Sequence, residues 1–223
     1  AVDLAGLSLA TSTASGAPRW LFPPGSLVPA RGYLTVFADP GLPASATNTG
    51  FGLNAQGGGL YCFKKAPDTN EILDQVLFGL QVTDLSIGRV PVTGTNWVLT
   101  YPTFGATNVA ATLGPQTALR VNEWMADPAA GDDWFELYNP GSEPVLLSGL
   151  RLTDAYGTPD SFVIPALSFI GLGSNAYQRF VADNPAVPAG PEHVNFKLGR
   201  DGDAIFLLAS NNATVIEIGR AHV

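Results

Sequence analysis

Leu119-Arg120-Val121-Asn122-Glu123-Trp124-Met125-Ala126-Asp127-Pro128 opens the stretch that decides the fold. It continues as Trp134-Phe135-Glu136-Leu137-Tyr138-Asn139-Pro140-Gly141 and then Val145-Leu146-Leu147-Ser148-Gly149-Leu150-Arg151-Leu152-Thr153-Asp154. These are three short strand-like runs separated by turn signals, Pro128 to Asp133 and Asn139-Pro140-Gly141-Ser142. In the middle run Trp134, Glu136 and Tyr138 fall on one face, and Phe135 and Leu137 on the other. A period of two with unlike faces predicts a sheet with one covered side. The third run alternates Leu146, Leu150 and Leu152 against Leu147, Gly149, Arg151 and Thr153.

The motifs Asn122 to Pro128, Trp134 to Gly141 and Leu147 to Asp154, in this order and spacing, resemble the lamin-tail domain family. The resemblance implies an all-β chain of immunoglobulin-like antiparallel β-sandwiches. It also implies a setting in nuclear lamins or in bacterial surface and secreted proteins. A nuclear-lamin role is not expected, because a heptad rod is missing from this sequence.

Outward from this stretch the sequence repeats. Val2-Asp3-Leu4-Ala5-Gly6-Leu7-Ser8-Leu9 matches Val145 to Leu152, Trp20 to Pro23 matches Phe162 to Pro165, and Tyr33 to Asp39 matches Tyr177 to Asp183. Phe51 to Leu53, a Gly-rich turn and Leu60 to Phe63 answer Phe196 to Leu198, Asp201 to Asp203 and Ala204 to Leu208. Glu71 to Asp74 answers Thr214 to Glu217. Conserved order over so many blocks predicts a tandem duplication, with sandwiches at 1–110 and 118–223 and an Ala/Thr/Gly/Pro-rich linker at 106–118. The first unit runs on through Ser86-Ile87-Gly88-Arg89, Asn96 to Thr100 and Pro102 to Asn108, which resemble the closing segment of the family. Each unit is thus expected to lack a different end. The first has no counterpart of 119–141. The second has little after Glu217, with Ile218-Gly219-Arg220 read as a shortened Ile87-Gly88-Arg89. A window on a longer chain and strand addition from a neighbour both explain the gaps. No cleavable leader is expected, since residue 1 already begins a motif.

Core candidates are Leu4, Leu7, Leu9, Trp20, Phe22, Val36, Phe51 and Leu60 in the first unit. In the second they are Val121, Trp124, Phe135, Leu137, Leu150, Leu152, Phe162, Ile164, Phe180, Phe196, Leu198 and Phe206. The expected assembly edges are Val2, Leu4, Leu7 and Leu9 at one end and Val215, Ile216 and Ile218 at the other, where unpaired backbone would recruit a strand.

Composition narrows the function classes. The chain has 223 residues, 46% hydrophobic and 13% charged, with 25 Gly and 18 Pro, which suits short strands and tight turns. The net charge is −8, and neither half carries a basic stripe, so a nucleic-acid partner is not expected. No apolar run is long enough to span a bilayer, so membrane insertion is not expected either. Cys62 is a single cysteine and cannot form an internal disulfide.

Catalytic groups are sparse. His193 and His222 are the two histidines, and neither position suggests the orienting partner that a catalytic imidazole needs. Cys62 sits in an apolar run and reads as a buried small hydrophobe, with Lys64 and Lys65 as the features that would favour reactivity. Asp127, Asp132 and Asp133, and Asp201 and Asp203, read as turn residues bonding local backbone, with a weak Ca²⁺ site as the alternative. Glu123 is expected to brace a sheet, against backbone or Arg151. Gly57 to Gly59 and Gly171 to Gly173 are read as turns with no helix to receive a phosphate. Asn212-Ala213-Thr214 fits a glycosylation sequon.

The expected function is therefore non-enzymatic and cofactor-free. It is a structural or adhesion module of an extracellular or cell-surface bacterial protein, whose partner is protein: further copies or neighbouring domains. One alternative is a subunit of an extracellular filament built by strand sharing. The other is an accessory domain of a larger secreted hydrolase, for which exposed aromatic rows would indicate carbohydrate binding.

Overall fold

The computed structural model describes residues 1–66, 68–186 and 189–220. Strands β1 (Val2–Asp3), β2 (Ser8–Ala10), β3 (Trp20–Leu21), β4 (Leu27–Val28), β5 (Gly58–Phe63) and β6 (Ile72–Phe78) come from the N-terminal part. Next are β7 (Ser86–Arg89), β8 (Trp97–Tyr101) and β9 (Val109–Ala110). The C-terminal half contributes β10 (Arg120–Met125), β11 (Asp133–Tyr138), β12 (Val145–Leu146), β13 (Arg151–Thr153), β14 (Phe162–Val163) and β15 (Phe169–Ile170). It ends with β16 (Tyr177–Ala182), β17 (Ala204–Leu208) and β18 (Val215–Arg220). All pairings between these strands are antiparallel. Two three-residue 3-10 turns, Gln116–Ala118 and Gly173–Asn175, complete the regular structure among the described residues.

The C-terminal half is an immunoglobulin-like sandwich. A three-stranded sheet, β10-β11-β16, faces a four-stranded sheet, β14-β13-β17-β18. Phe135 and Leu137 of β11 point inward and are fully buried, as their alternation predicts, and they meet Leu152, Ile205, Leu207 and Phe180. Phe135 stacks between Phe180 and Phe196, at centroid distances of 5.5 and 6.0 Å. The third run of the deciding stretch is not one strand. Gly149 has φ +75°, a conformation that L side chains disfavour. It turns the chain from the β12–β15 ribbon into β13 of the four-stranded sheet.

The N-terminal part repeats half of this architecture. Its sheet β3-β2-β5-β6 has the same order as β14-β13-β17-β18, and its β1–β4 ribbon mirrors β12–β15. The register agrees residue by residue. Leu9 opposes Trp20 and Cys62 as Leu152 opposes Phe162 and Leu207. The bulge at Cys62/Phe63 recurs at Leu207/Leu208. The parallel bridge Phe37↔Asn48 recurs as Val181↔His193, and Gly6 turns at φ +82° as Gly149 does. The same register corrects one reading. Ile218 pairs with Phe206 as Gln75 pairs with Tyr61, so Ile218-Gly219-Arg220 corresponds to Gln75-Val76-Leu77 and not to Ile87-Gly88-Arg89.

The stretch 106–118 is ordered, its start paired with the first part and its end bonded to the second. That stretch contains β9, which pairs with β8, and Gly114, which bridges Val145. Gln116 donates from Nε2 to the Leu146 carbonyl at 2.8 Å. The gap expected at the end of the second unit is closed by residues 79–111. The Gly79 N–H donates to the Ala166 carbonyl at 2.9 Å and the Phe169 N–H to the Leu80 carbonyl at 2.8 Å. Leu80 is 1% exposed inside the C-terminal core. Behind it, Val82 and Leu99 pack on Phe169, with Leu85, Ile87, Leu146 and Leu167 around them. Apolar contacts and hydrogen bonds therefore bind the segment after β6 to the second sandwich, while the Gln81 N–H to the Ala55 carbonyl at 2.8 Å and Arg89 to Asp74 at 2.6 Å hold it to its own half as well.

Candidate functional site

Six pairs of equivalent positions locate the surface that distinguishes the halves. In the C-terminal sandwich Leu150, Leu152, Phe180, Phe196, Ile205 and Leu207 are all buried. Their N-terminal counterparts Leu7, Leu9, Val36, Phe51, Leu60 and Cys62 are all only partly buried. The residue types are nearly the same, so the difference lies in what covers them. In the C-terminal half the cover is the β10–β11 hairpin, and among the described residues the N-terminal half has no counterpart of it. Of the eight core candidates in the first unit, only Trp20 and Phe22 are buried; Leu4, Leu7, Leu9, Val36, Phe51 and Leu60 are not, for this reason.

The hairpin covers three surfaces at once in the C-terminal half. Its side chains fill the inner face of the four-stranded sheet. β11 pairs along all six residues of β16. β10 flanks β18, so closely that a Cβ at Gly219 would lie 2.6 Å from Val121 Cγ1. In the N-terminal half all three equivalents are open. The inner face is bare as described. Tyr33–Asp39 is held on one side by Phe37, whose N–H donates to the Thr47 carbonyl and whose carbonyl accepts from the Thr49 N–H; Leu34 and Phe37 are 41% and 58% exposed. β6 ends its sheet, and among the described residues no strand pairs with its outer edge. A groove of about 550 Å³ runs between Leu60, Val76 and Phe78 on one wall and Leu85, Ile87 and Trp97 on the other.

The expected edge residues fall differently. Val2 lies in the β1–β4 ribbon and is 61% exposed. Leu9 is in β2, an internal strand bonded to β3 and β5, and Leu4 and Leu7 lie in the turn before it. These three therefore line an open face, not an open edge. Val215, Ile216 and Ile218 are in β18. Its outer side lies against β10, with Arg120 reaching Glu217 at 3.8 Å, and Ile216 packs on the core. β6 and β18 each end their sheet; they differ in that β10 flanks β18, whereas no hairpin flanks β6 among the described residues.

The titratable groups are mostly engaged in local structure. Asp133 accepts from the Asp127 N–H at 2.8 Å and the Leu198 N–H at 3.2 Å. Asp203 accepts from the Gly199 and Ala204 N–H groups, and Asp127 pairs with Arg200 at 3.3 Å. No group of three or more His, Cys, Asp or Glu side chains able to hold a metal ion occurs among the described residues. Glu123 does not meet Arg151: it lies opposite Glu136 in the three-stranded sheet, while Arg151, in the other sheet, donates to Ser161 Oγ at 3.0 Å. Asn212 of the sequon donates its amide to the Thr158 carbonyl and accepts from Ser161 Oγ.

His193 does have an orienting partner, contrary to expectation. Its Nδ1 lies 2.7 Å from Asp183 Oδ2 and its Nε2 4.0 Å from Glu192 Oε1. Carboxylates, and not a nucleophile, face both ring nitrogens. The signal in sequence was only the ten-residue spacing of Asp183 and His193, which β16 and its parallel bridge bring together. His222 lies outside the described residues. Cys62 is half-buried, and burial, then the nearby Asp74 carboxylate, raise its pKa above the ordinary thiol value; this disfavours the reactive thiolate.

Two packed antiparallel sheets with open edges and an apolar groove define an immunoglobulin-like module for protein contact. Residues 114–221 match the family model described as Lamin Tail Domain, and this segment of the chain belongs to that family, a non-catalytic immunoglobulin-like domain. No curated protein and no solved structure matches the chain. No helix among the described residues is long and apolar enough to cross a membrane.

Proposed function

We propose that this chain is a structural or adhesion module of an extracellular or cell-surface bacterial protein, built from a lamin-tail sandwich and, ahead of it, sheets of matching strand order. It acts by binding protein at the uncovered N-terminal half. The observation that carries this reading is the set of six core positions left partly exposed. An apolar face of this kind, bounded by two unpaired backbone edges, is a site for strand addition. The acidic surface and scattered bases support a protein partner over nucleic acid.

Sedimentation equilibrium over a wide dilution range, with hydrogen exchange on the same samples, tests the self-association form. Mass rising with concentration, with slower exchange in Tyr33–Asp39 and β6, supports it. A mass fixed at one chain refutes self-association. A mass that rises with protection confined to the C-terminal half refutes the N-terminal half as the contact.

Within the chain, Gly79 and Leu80 already seat on the other sandwich through backbone bonds and a buried side chain. This favours, as a second reading, a filament subunit; electron microscopy at high concentration should then show fibres, and only dispersed particles would count against it.

A further inference from the structure

We infer that the outer face of the C-terminal sandwich carries a binding cleft for an uncharged oligosaccharide. The cleft lies apart from the protein contact proposed above and shares none of its residues. It measures about 630 Å³ and opens over β11 and β16, within the usual size of a ligand site. Alternation makes its floor. Phe135, Leu137 and Phe180 are buried, so Trp134, Glu136 and Tyr138 of β11 and Tyr177, Arg179 and Val181 of β16 point the other way. Register sets these in rows: Trp134 opposite Val181, Glu136 opposite Arg179, Tyr138 opposite Tyr177. An aromatic group therefore stands at each end, with Glu136 and Arg179 between. The two ends are about 13 Å apart along the strand, longer than one sugar ring. Tyr177 is stacked on Tyr138 at 4.7 Å and stays 47% exposed. The walls bring Asp132, Glu192 and His193, and Gln56 from the first half. Gln56 reaches the cleft because Gly57 packs on Pro191, where a Cβ would lie 2.6 Å from Pro191 Cγ.

The fold does not require this polar set. The N-terminal half builds the same bridge from Phe37, Thr47 and Asn48 where the C-terminal half has Val181, Glu192 and His193, and Thr35 stands at the place of Arg179. There Asn48 commits its amide to the Asp39, Leu42 and Pro43 carbonyls. In the C-terminal half polar capacity is left over. Asp133 takes the Asp127 and Leu198 N–H groups, and its neighbour Asp132 is exposed. The arginine ion pairs among the described residues use Arg89, Arg120 and Arg200, not Arg179. Glu192 Oε2 has no hydrogen-bond partner among them. Charge then selects the ligand class. Asp132 and Glu192 oppose an anion, Arg179 opposes a cation, and no metal-holding group of His, Cys, Asp and Glu side chains occurs among the described residues. A peptide strand needs free backbone, but β11 is bonded on both sides. At Val181 the N–H and carbonyl of β16 are taken by the Glu192 carbonyl and the Val194 N–H. A chain of sugar rings meets what remains. Its C–H edges are slightly positive and lie on the negative faces of Trp134 and Tyr177. Its hydroxyls donate to the carboxylates and accept from the guanidinium and amides.

The test is calorimetric titration of the full chain with neutral linear oligosaccharides of the β-glucan, xylan, mannan and N-acetylglucosamine types. At least one is expected to bind with a Kd of about 1 mM or tighter and to slow hydrogen exchange in β16. Trp134→Ala and Arg179→Ala should each weaken that binding about tenfold or more, and Gln56→Ala about threefold, while the urea midpoint stays near the parent value because all three side chains lie outside the core. Gln56 and Arg179 are exposed, so these two variants decide the matter even if Trp134→Ala fails to fold. Leu9→Ala, on the uncovered N-terminal face, should leave sugar binding unchanged, which separates this cleft from the protein contact. Absence of binding by every oligosaccharide at about 10 mM, well past a millimolar Kd, overturns the inference. Binding that survives both Trp134→Ala and Arg179→Ala also overturns it, since the sugar would then sit elsewhere. A sulfated oligosaccharide binding more tightly than its neutral counterpart overturns the requirement for an uncharged ligand. A blocked peptide of alternating threonine and valine that binds where the sugars do not would make this face a strand site and overturn the saccharide reading.

Discussion

Replacing Leu80 by alanine should weaken the half of the molecule to which Leu80 does not belong in sequence. The side chain is 1% exposed and sits among Phe135, Leu147, Ile170 and their neighbours in the C-terminal core. Truncating a leucine so buried costs about 2–5 kcal/mol, the lost transfer free energy plus the cavity left behind. The backbone of Leu80 is fixed by the Phe169 N–H and by its own N–H donating to Ser168 Oγ at 3.2 Å, which limits collapse into the cavity and favours the upper part of the range. Hydrogen exchange read by mass spectrometry separates the halves. Protection in β11 and β16 should fall by about thirtyfold to several thousandfold, the equivalent of that range at tenfold per 1.4 kcal/mol. Protection in β5 should change much less. A loss confined to β5 and β6, with β11 and β16 unmoved, would show that residues 79–111 do not close the C-terminal sandwich.

Other outcomes follow from the same geometry. Leu9→Ala and Leu152→Ala alter equivalent positions; urea unfolding followed in each half should show about 2–5 kcal/mol lost at Leu152 and about 1 kcal/mol at half-buried Leu9, where no cavity is enclosed. Equal costs would contradict an open N-terminal face. Asn139→Ala removes the bonds from Nδ2 to the Glu143 and Gly171 carbonyls, both 2.9 Å, and the acceptor for the Gly141 N–H; because these groups are largely buried, a loss of about 2–3 kcal/mol is expected by denaturant titration. Asp154 is raised in pKa by burial, and further by Asp203, against its own local hydrogen bonds. A carboxyl with a raised folded-state pKa contributes stability at low pH that is lost as pH rises through its titration. Asp154→Asn should therefore be more stable than the parent at pH 7, with the difference fading toward pH 3; a pH-independent difference would refute this.

The covered face of the C-terminal sandwich was legible because alternation in Trp134 to Tyr138 is a local property of the chain, and Phe135 and Leu137 are buried as it requires. The blocks that echo one another in sequence occupy matching registers. Burial of Leu7, Leu9 and Leu60 was not legible. Each looks like a core residue by type and spacing, and whether it is covered depends on strands distant in sequence. The placement of Leu80 is a sharper case. Its neighbours in sequence belong to one repeat and its neighbours in space to the other, and no pattern within Phe78-Gly79-Leu80-Gln81 distinguishes the two destinations. The Asp183–His193 pair failed for a similar reason, since a parallel bridge and not a turn sets its geometry.

The seat of Gly79 and Leu80 also fixes how tension travels through the molecule. A pull that separates β6 from the C-terminal sandwich reaches the bonds of Gly79 and Leu80 to Ala166, Ser168 and Phe169 before it reaches the covalent connection at 112–118. The chain path through β7, β8 and β9 lies downstream of that clamp along the backbone, and Arg89 of β7 is tied back to Asp74 of β6 at 2.6 Å. The mechanical joint between the halves is therefore a short non-covalent seam with a leucine anchored in the core, seconded by the Arg89–Asp74 contact, and residues 112–118 act as a tether held in reserve.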